Sequence, residues 1–385
     1  MDFSLNDDQQ ALVDLVDRIT QKYDRRYYLD VIEKDGFYWE AWRALADAGC
    51  MGICVPKEQG GLGLGLTELC LVMERLSERG VPLLMMLLCP AIAIVSIARN
   101  ATEAQRERFL PPMMRGDVIA AFAITEPEAG TNSFKIKTFA EKVEGGYRLN
   151  GEKMFITGFD IAERAFVVAR TRPRDPDRPT RGMSLFMLDT KSDGITMSAL
   201  PVEFRKPEKQ FMVYFDNVLV PEEDLIGAEG DGLKPLFDSL NPERLMVAAM
   251  LVGYGKHVLA RGIDYANQRT VFDGPIGAYQ SIQHPLALAH THLSLARLQT
   301  YKAARDYDED RGDVVGATMA KLAAADAGLE AADAVLQLHG GNGFVRDYDL
   351  IDIWKFMRLH IITPVSRQMA LNQISQNGLG LPKSY

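Results

Sequence analysis

A change of texture along the chain constrains its fold more than any other feature. Between about Val118 and Val220 short apolar runs with alternation follow one another, among them IAAFAIT, YRLNGEKMFIT, RAFVVART, MSLFMLD and FMVYFDNVLV. Gly, Pro, Asn and Asp separate them, so the segment reads as strands at intervals of roughly 8–15 residues. On either side the period is helical. Leu5, Ala11, Leu12, Leu15, Val16 and Ile19 recur at helical spacing around Asn6, a suitable N-cap. Further helices are expected over Trp39–Ala48, over Thr67–Gly80, in a charged stretch ending near Gly116, and over Pro242–Gln268, Gln283–Arg311 and Val314–Leu338. Helices, then strands, then helices exclude a doubly wound sheet. The expected fold is α+β: an N-terminal helical domain over residues 1–116, a central β-barrel-like domain over 117–226, and a C-terminal four-helix bundle over 227–385.

Composition narrows the function. The 385 residues carry a net charge of −9 with no Lys/Arg block, which argues against nucleic acid or an anionic membrane as partner. The N-terminal MDFSLNDDQQ is acidic and does not read as a signal peptide. The apolar run Val81–Ala98 is broken by Pro82, Cys89 and Pro90, and reads as a buried helix pair and not as a membrane span. Cys50, Cys54, Cys70 and Cys89 match no zinc or redox spacing and read as buried thiols of a reducing cytoplasm. The six histidines form no metal-ligand set, so no metal is expected. The loop GGLGLGL, Gly60–Leu66, lacks the third glycine of a dinucleotide fingerprint and lies between helical patterns, so it reads as a tight turn.

The β segment holds the informative strings, ITEPEAGTN (Ile124–Asn132) and GEKMFITG (Gly151–Gly158). Taken alone, Thr125 and Thr157 end strands and could face a cleft, although ordinary turn chemistry would look the same. With these strings the chain resembles the acyl-CoA dehydrogenase flavoproteins. Thr125–Thr131 matches the family's T-E-P-x-A-G-[ST], and Lys153–Thr157 matches its K-x-[WF]-I-T. Glu243–Arg244 matches its acidic-Arg helix opening, YANQRTVFDGPI (Tyr265–Ile276) its Y-A-x-x-R string, and Gln337–Gly343 its Q-x-x-G-G-x-G. The matches are colinear and span essentially the whole chain.

The resemblance implies an oxidoreductase with FAD as cofactor. It removes the α-proton of an acyl-CoA thioester with a carboxylate while the β-hydride passes to flavin N5, or runs the reverse enoyl-CoA reduction. Thr125 would sit beside the flavin pyrimidine and Thr157 at N5. Phe155 would stand in for the Trp that covers the ring. Arg269 and Phe272 would reach the FAD of a neighbouring subunit, with Gln337 and Gly341 on its adenine and phosphate side. Thr131 and Arg244 would hold the substrate. Such cross-subunit sites imply a homo-oligomer, in this family usually a tetramer, and an electron-transfer flavoprotein as acceptor.

The chain departs from the pattern at the base. Most members carry the catalytic Glu after the glycine-rich string, where this chain has ITPVSRQM (Ile362–Met369), with Pro364 or Thr363 at the Glu position. Proline also lacks the backbone N–H that would polarise the thioester. Isovaleryl-CoA-type members place the base at the position of Glu243. From the helix alone, Glu243 after Asn241-Pro242 would merely complement a helix N-terminus; the family match makes it the catalytic candidate. The same departures leave open a flavin oxidase or monooxygenase on this scaffold, or an FAD-binding partner subunit with a degenerate site.

Overall fold

The computed structural model describes residues 4–383; Met1–Phe3, at the head of the acidic N-terminal stretch, and Ser384–Tyr385 lie outside the described residues. The helices are α1 (Asp7–Lys22), α2 (Arg25–Glu33), α3 (Trp39–Asp47), α4 (Leu66–Glu78), α5 (Val95–Asn100), α6 (Glu103–Met114), α7 (Leu233–Gln268), α8 (Gln280–Asp308), α9 (Val314–His339), α10 (Leu350–Leu359) and α11 (Arg367–Gln373). The strands are β1 (Ala120–Ala123), β2 (Phe139–Val143), β3 (Gly146–Thr157), β4 (Arg164–Arg170), β5 (Met183–Asp189), β6 (Ile195–Leu200), β7 (Gln210–Pro221) and β8 (Leu225–Ile226), with a small hairpin of β9 (Thr270–Val271) and β10 (Gly274–Pro275). Contacts divide the chain into two units, one of residues 31–64 and 84–243, the other of residues 1–30, 65–83 and 244–385.

The first unit holds an eight-stranded sheet in the order β6-β7-β3-β2-β4-β5-β8, with β1 parallel to β4. The expected barrel does not close. Its path ends on β6 and on β8, which is only two residues long, and these two strands do not pair. The halves meet at a seam where β2 and β4 share a single register pair, Phe139↔Arg170. The strands β4 and β5 are buried almost throughout, as their unbroken apolar runs require, whereas β3 and β7 alternate. The run read as a buried helix pair is a π-helix over Leu87–Ile94 continuing into α5, buried throughout the π-helix. The GGLGLGL loop is the tight turn expected: a Cβ on Gly61 would lie 2.2 Å from the Val55 carbonyl oxygen.

The second unit is helical apart from the β9–β10 hairpin. Asn6 and Gln9 form a capping box at the start of α1, and Asp313 caps α9 through the Gly316 N–H. The helix read from Pro242 onward begins earlier: α7 starts at Leu233 and carries Pro242 inside it. Cys50, Cys70 and Cys89 are buried thiols outside any disulfide, while Cys54 is only half-buried. No described helix is long and apolar enough to cross a membrane.

Candidate active site

In the sheet unit the site strings converge on the end of β3. Four residues of β3, Lys153 to Ile156, oppose only three of β7, Val213 to Phe211, so β3 bulges at Met154–Phe155. Phe155 sits in this bulge at φ +59°, a left-handed conformation costly for an aromatic residue. The bulge turns its ring outward, where it is 53% exposed although it belongs to a sheet. Thr157 follows two residues on, partly exposed. The Met154 N–H donates to the Thr125 carbonyl at 2.8 Å, so the first string is stitched to the bulge of the second. Thr131 lies exposed on the loop that Thr125 opens.

A buried ion pair holds this junction. The Lys153 ammonium, fully buried, donates to Glu126 Oε1 at 2.9 Å and to the Ile124 carbonyl at 3.0 Å. Glu126 also accepts from the N–H groups of Lys137 (2.5 Å) and Thr138 (3.0 Å). Burial alone would raise the Glu126 pKa, but Lys153 and these donors outweigh it and hold the carboxyl below its ordinary value. Both residues stand inside the two quoted strings, yet their partnership had no local signal: 27 positions separate them.

In the helical unit, Arg269 directly follows α7, with its N–H on the Tyr265 carbonyl at 2.8 Å. Tyr265 stacks on His339 with ring centroids 3.9 Å apart, and its hydroxyl accepts from Asn342 Nδ2 at 2.9 Å. The Arg269 and Gln337–Gly343 strings are thereby brought together. Arg269 and Gln337 are exposed, and Phe272, at φ +55° in the β9–β10 turn, is 89% exposed. Gly341 and its neighbour Gly340 have nothing within 4 Å of a Cβ position, so their backbone lies open.

Glu243 and Arg244 are adjacent on α7, each only 9% exposed. Because α7 begins at Leu233, Glu243 does not occupy a first turn, and the helix-terminus account of its charge falls away. The segment between α10 and α11, which replaces the family's usual base, contains no carboxylate. It is held by the buried Lys321 ammonium, which donates to the carbonyls of His360 (2.6 Å) and Val365 (2.7 Å) on either side of Pro364.

An outward aromatic ring with a threonine two residues on suits the face of a flat heteroaromatic cofactor, and an exposed guanidinium and an open Gly-Gly backbone each suit a phosphate. Groups of these kinds fit a flavin dinucleotide, the cofactor of a flavoprotein oxidoreductase. The comparisons sharpen that class. Family models for the acyl-CoA dehydrogenase N-terminal, middle and C-terminal domains match residues 6–117, 121–218 and 230–379. The acyl-CoA dehydrogenase FadE12 of Mycobacterium tuberculosis is 41% identical over 387 aligned positions, covering 100% of this chain and 99% of that protein. The mitochondrial isovaleryl-CoA dehydrogenase of Arabidopsis thaliana is 34% identical over 80% of this chain and 75% of its own length. Butyryl-CoA dehydrogenase from Megasphaera elsdenii superposes with a TM-score of 0.92 at 29% identity, covering 99% of this chain and 100% of that one. The chain belongs to the acyl-CoA dehydrogenase family. It is an FAD-dependent oxidoreductase that dehydrogenates acyl-CoA thioesters.

Proposed function

We propose that this enzyme oxidises a short or branched acyl-CoA with Glu243 as the base. The supporting observation is a carboxylate kept 9% exposed in a helix interior, while Pro364 and Thr363 leave the usual base segment without one. FAD, when bound, supplies the two-electron acceptor. The protein's own residues do the rest. Glu243 takes the α-proton, Arg244 and Thr131 hold the substrate, Phe155 shields the ring face, and Thr125 and Thr157 hydrogen-bond its polar edge. Arg269, Phe272, Gln337 and Gly341 serve the FAD of a neighbouring subunit. Phe272, 89% exposed, is open to such a contact. The same reading makes the enzyme a cytoplasmic homotetramer of fatty acid metabolism, built of domains 1–116, 117–226 and 227–385, that passes electrons to an electron-transfer flavoprotein.

Anaerobic mixing with short and branched acyl-CoAs tests the base. Glu243→Gln should slow flavin bleaching by about 10²–10⁴-fold, the usual range for loss of a general base, with FAD content unchanged. Glu223→Gln is the control, its side chain 74% exposed. Bleaching at the wild-type rate in Glu243→Gln would remove Glu243 from the chemistry.

A further inference from the structure

Behind Thr157 the sheet unit holds a polar chain that none of these roles uses. Gln210, the first residue of β7, pairs in register with Thr157. Its amide orientation is decided by its neighbours. With the carbonyl toward Lys206, it accepts from Lys206 Nζ at 2.7 Å and from Thr157 Oγ1 at 2.8 Å; its NH₂ donates to the Phe155 carbonyl at 3.1 Å and lies farther from Thr157 Oγ1, at 3.2 Å, so the shorter contact has the hydroxyl donating to the amide oxygen. The opposite orientation would set an NH₂ donor against an ammonium that can only donate. Burial draws the Lys206 pKa down to about 8, with Glu208 opposing, so the group remains cationic and donor-only at neutral pH. Glu208 itself is 1% exposed. Its Oε1 accepts from the Tyr38 hydroxyl (2.5 Å) and the Leu84 N–H (2.7 Å), and its Oε2 has no hydrogen-bond partner among the described residues. Burial pushes the Glu208 carboxyl above its ordinary value, with the nearby Lys206 charge the first of the effects that oppose it.

We propose that Lys206, acting through Gln210, sets the direction of the Thr157 hydroxyl, so that its proton is committed inward and its lone pairs face the flavin. The proposal rests on the reading that Thr157 meets flavin N5. An outward acceptor at that point pairs with an N5 that carries a proton and not with a bare N5. The lysine therefore favours the reduced flavin and raises its midpoint potential. The same glutamine ties the Phe155 carbonyl, so the bulge and the hydroxyl are positioned together. Lys206 and Gln210 are positioning residues.

The test is a reductive titration of the full-length FAD-loaded protein against a reference dye, without substrate. Lys206→Met should lower the ratio of reduced to oxidised flavin at a fixed potential by about tenfold, roughly 30 mV for a two-electron couple. Lys206→Arg, which keeps a cationic donor, should restore the wild-type value. If Lys206→Met does not retain FAD, Gln210→Met carries the same expectation. Thr157→Val should lower the potential too, and adding Lys206→Met to it should lower it no further. A Lys206→Met shift that persists in full in the Thr157→Val background overturns the proposal, because the charge would then act directly. An unchanged potential in Lys206→Met beside a shifted one in Thr157→Val also overturns it, while leaving Thr157 at the flavin. An unchanged potential and spectrum in Thr157→Val would instead remove Thr157 from the flavin and the proposal with it.

Discussion

Single residues here are held by partners far away in sequence. Glu126 and Lys153 show what such a partnership sustains. Lys153→Met leaves the Glu126 carboxylate 5% exposed without its cation, and breaking a buried pair in this way costs about 3–5 kcal/mol. Urea unfolding should record that loss. The pH dependence has a definite sign. A carboxyl held below its ordinary value of 4.5 contributes stability that is fully present above that value. The contribution disappears as pH falls through the lower native value. Wild-type stability should therefore drop on acidification below 4.5, and Lys153→Met should show a shallower drop. Equal slopes in the two proteins would mean that Lys153 does not depress the Glu126 pKa. The aromatic of the second string was legible from its motif, but its outward display was not. It follows from the extra residue that β3 inserts opposite β7, and register is a property of two strands.

Elements show the same division. Helix α4 and the part of α7 from Arg244 onward belong to one unit and pass so close that a Cβ on Gly253 would lie 2.1 Å from the Glu74 carbonyl oxygen. The Glu74 side chain binds Lys256 and also accepts from Arg297 Nε (2.8 Å) and the Tyr301 hydroxyl (2.5 Å), tying α4 to α7 and α8. Burial would raise the Glu74 pKa, but the two cations prevail and hold it below its ordinary value. Gly253→Ala would force the helices apart. We expect it to cost about 1–3 kcal/mol, as overpacking does, and to lower the melting temperature measured by far-UV circular dichroism. A variant as stable as wild type would mean that the crossing relaxes without loss. The extent of α7 was misread because Pro242, a legitimate first-turn residue, lies instead in the interior of a longer helix. Proline marks either a start or a kink, and packing decides which.

At the scale of the molecule, the exposed Arg269 and Phe272 carry the argument for assembly. Arg269→Ala should lower FAD retention and loosen the oligomer together, because one side chain would serve both. The flavin-to-protein absorbance ratio and sedimentation velocity report the two effects. A monomeric Arg269→Ala protein with full FAD occupancy would contradict the cross-subunit role.

Local pattern alone determined much of this protein. The order of helical, β and helical segments, the five colinear strings and the absence of a carboxylate near Pro364 are all readable without coordinates, since each lies within a short stretch of chain. Tertiary structure decided the rest. It left the sheet open, with β6 at one end of its path and β8 at the other. It put Glu243 inside a helix instead of at its start. It also set Gln210 and Lys206 behind Thr157, some fifty positions away in the chain. No periodicity or spacing records such a neighbour. Strand pairing, and the need of a buried donor or acceptor for a partner, brings it there.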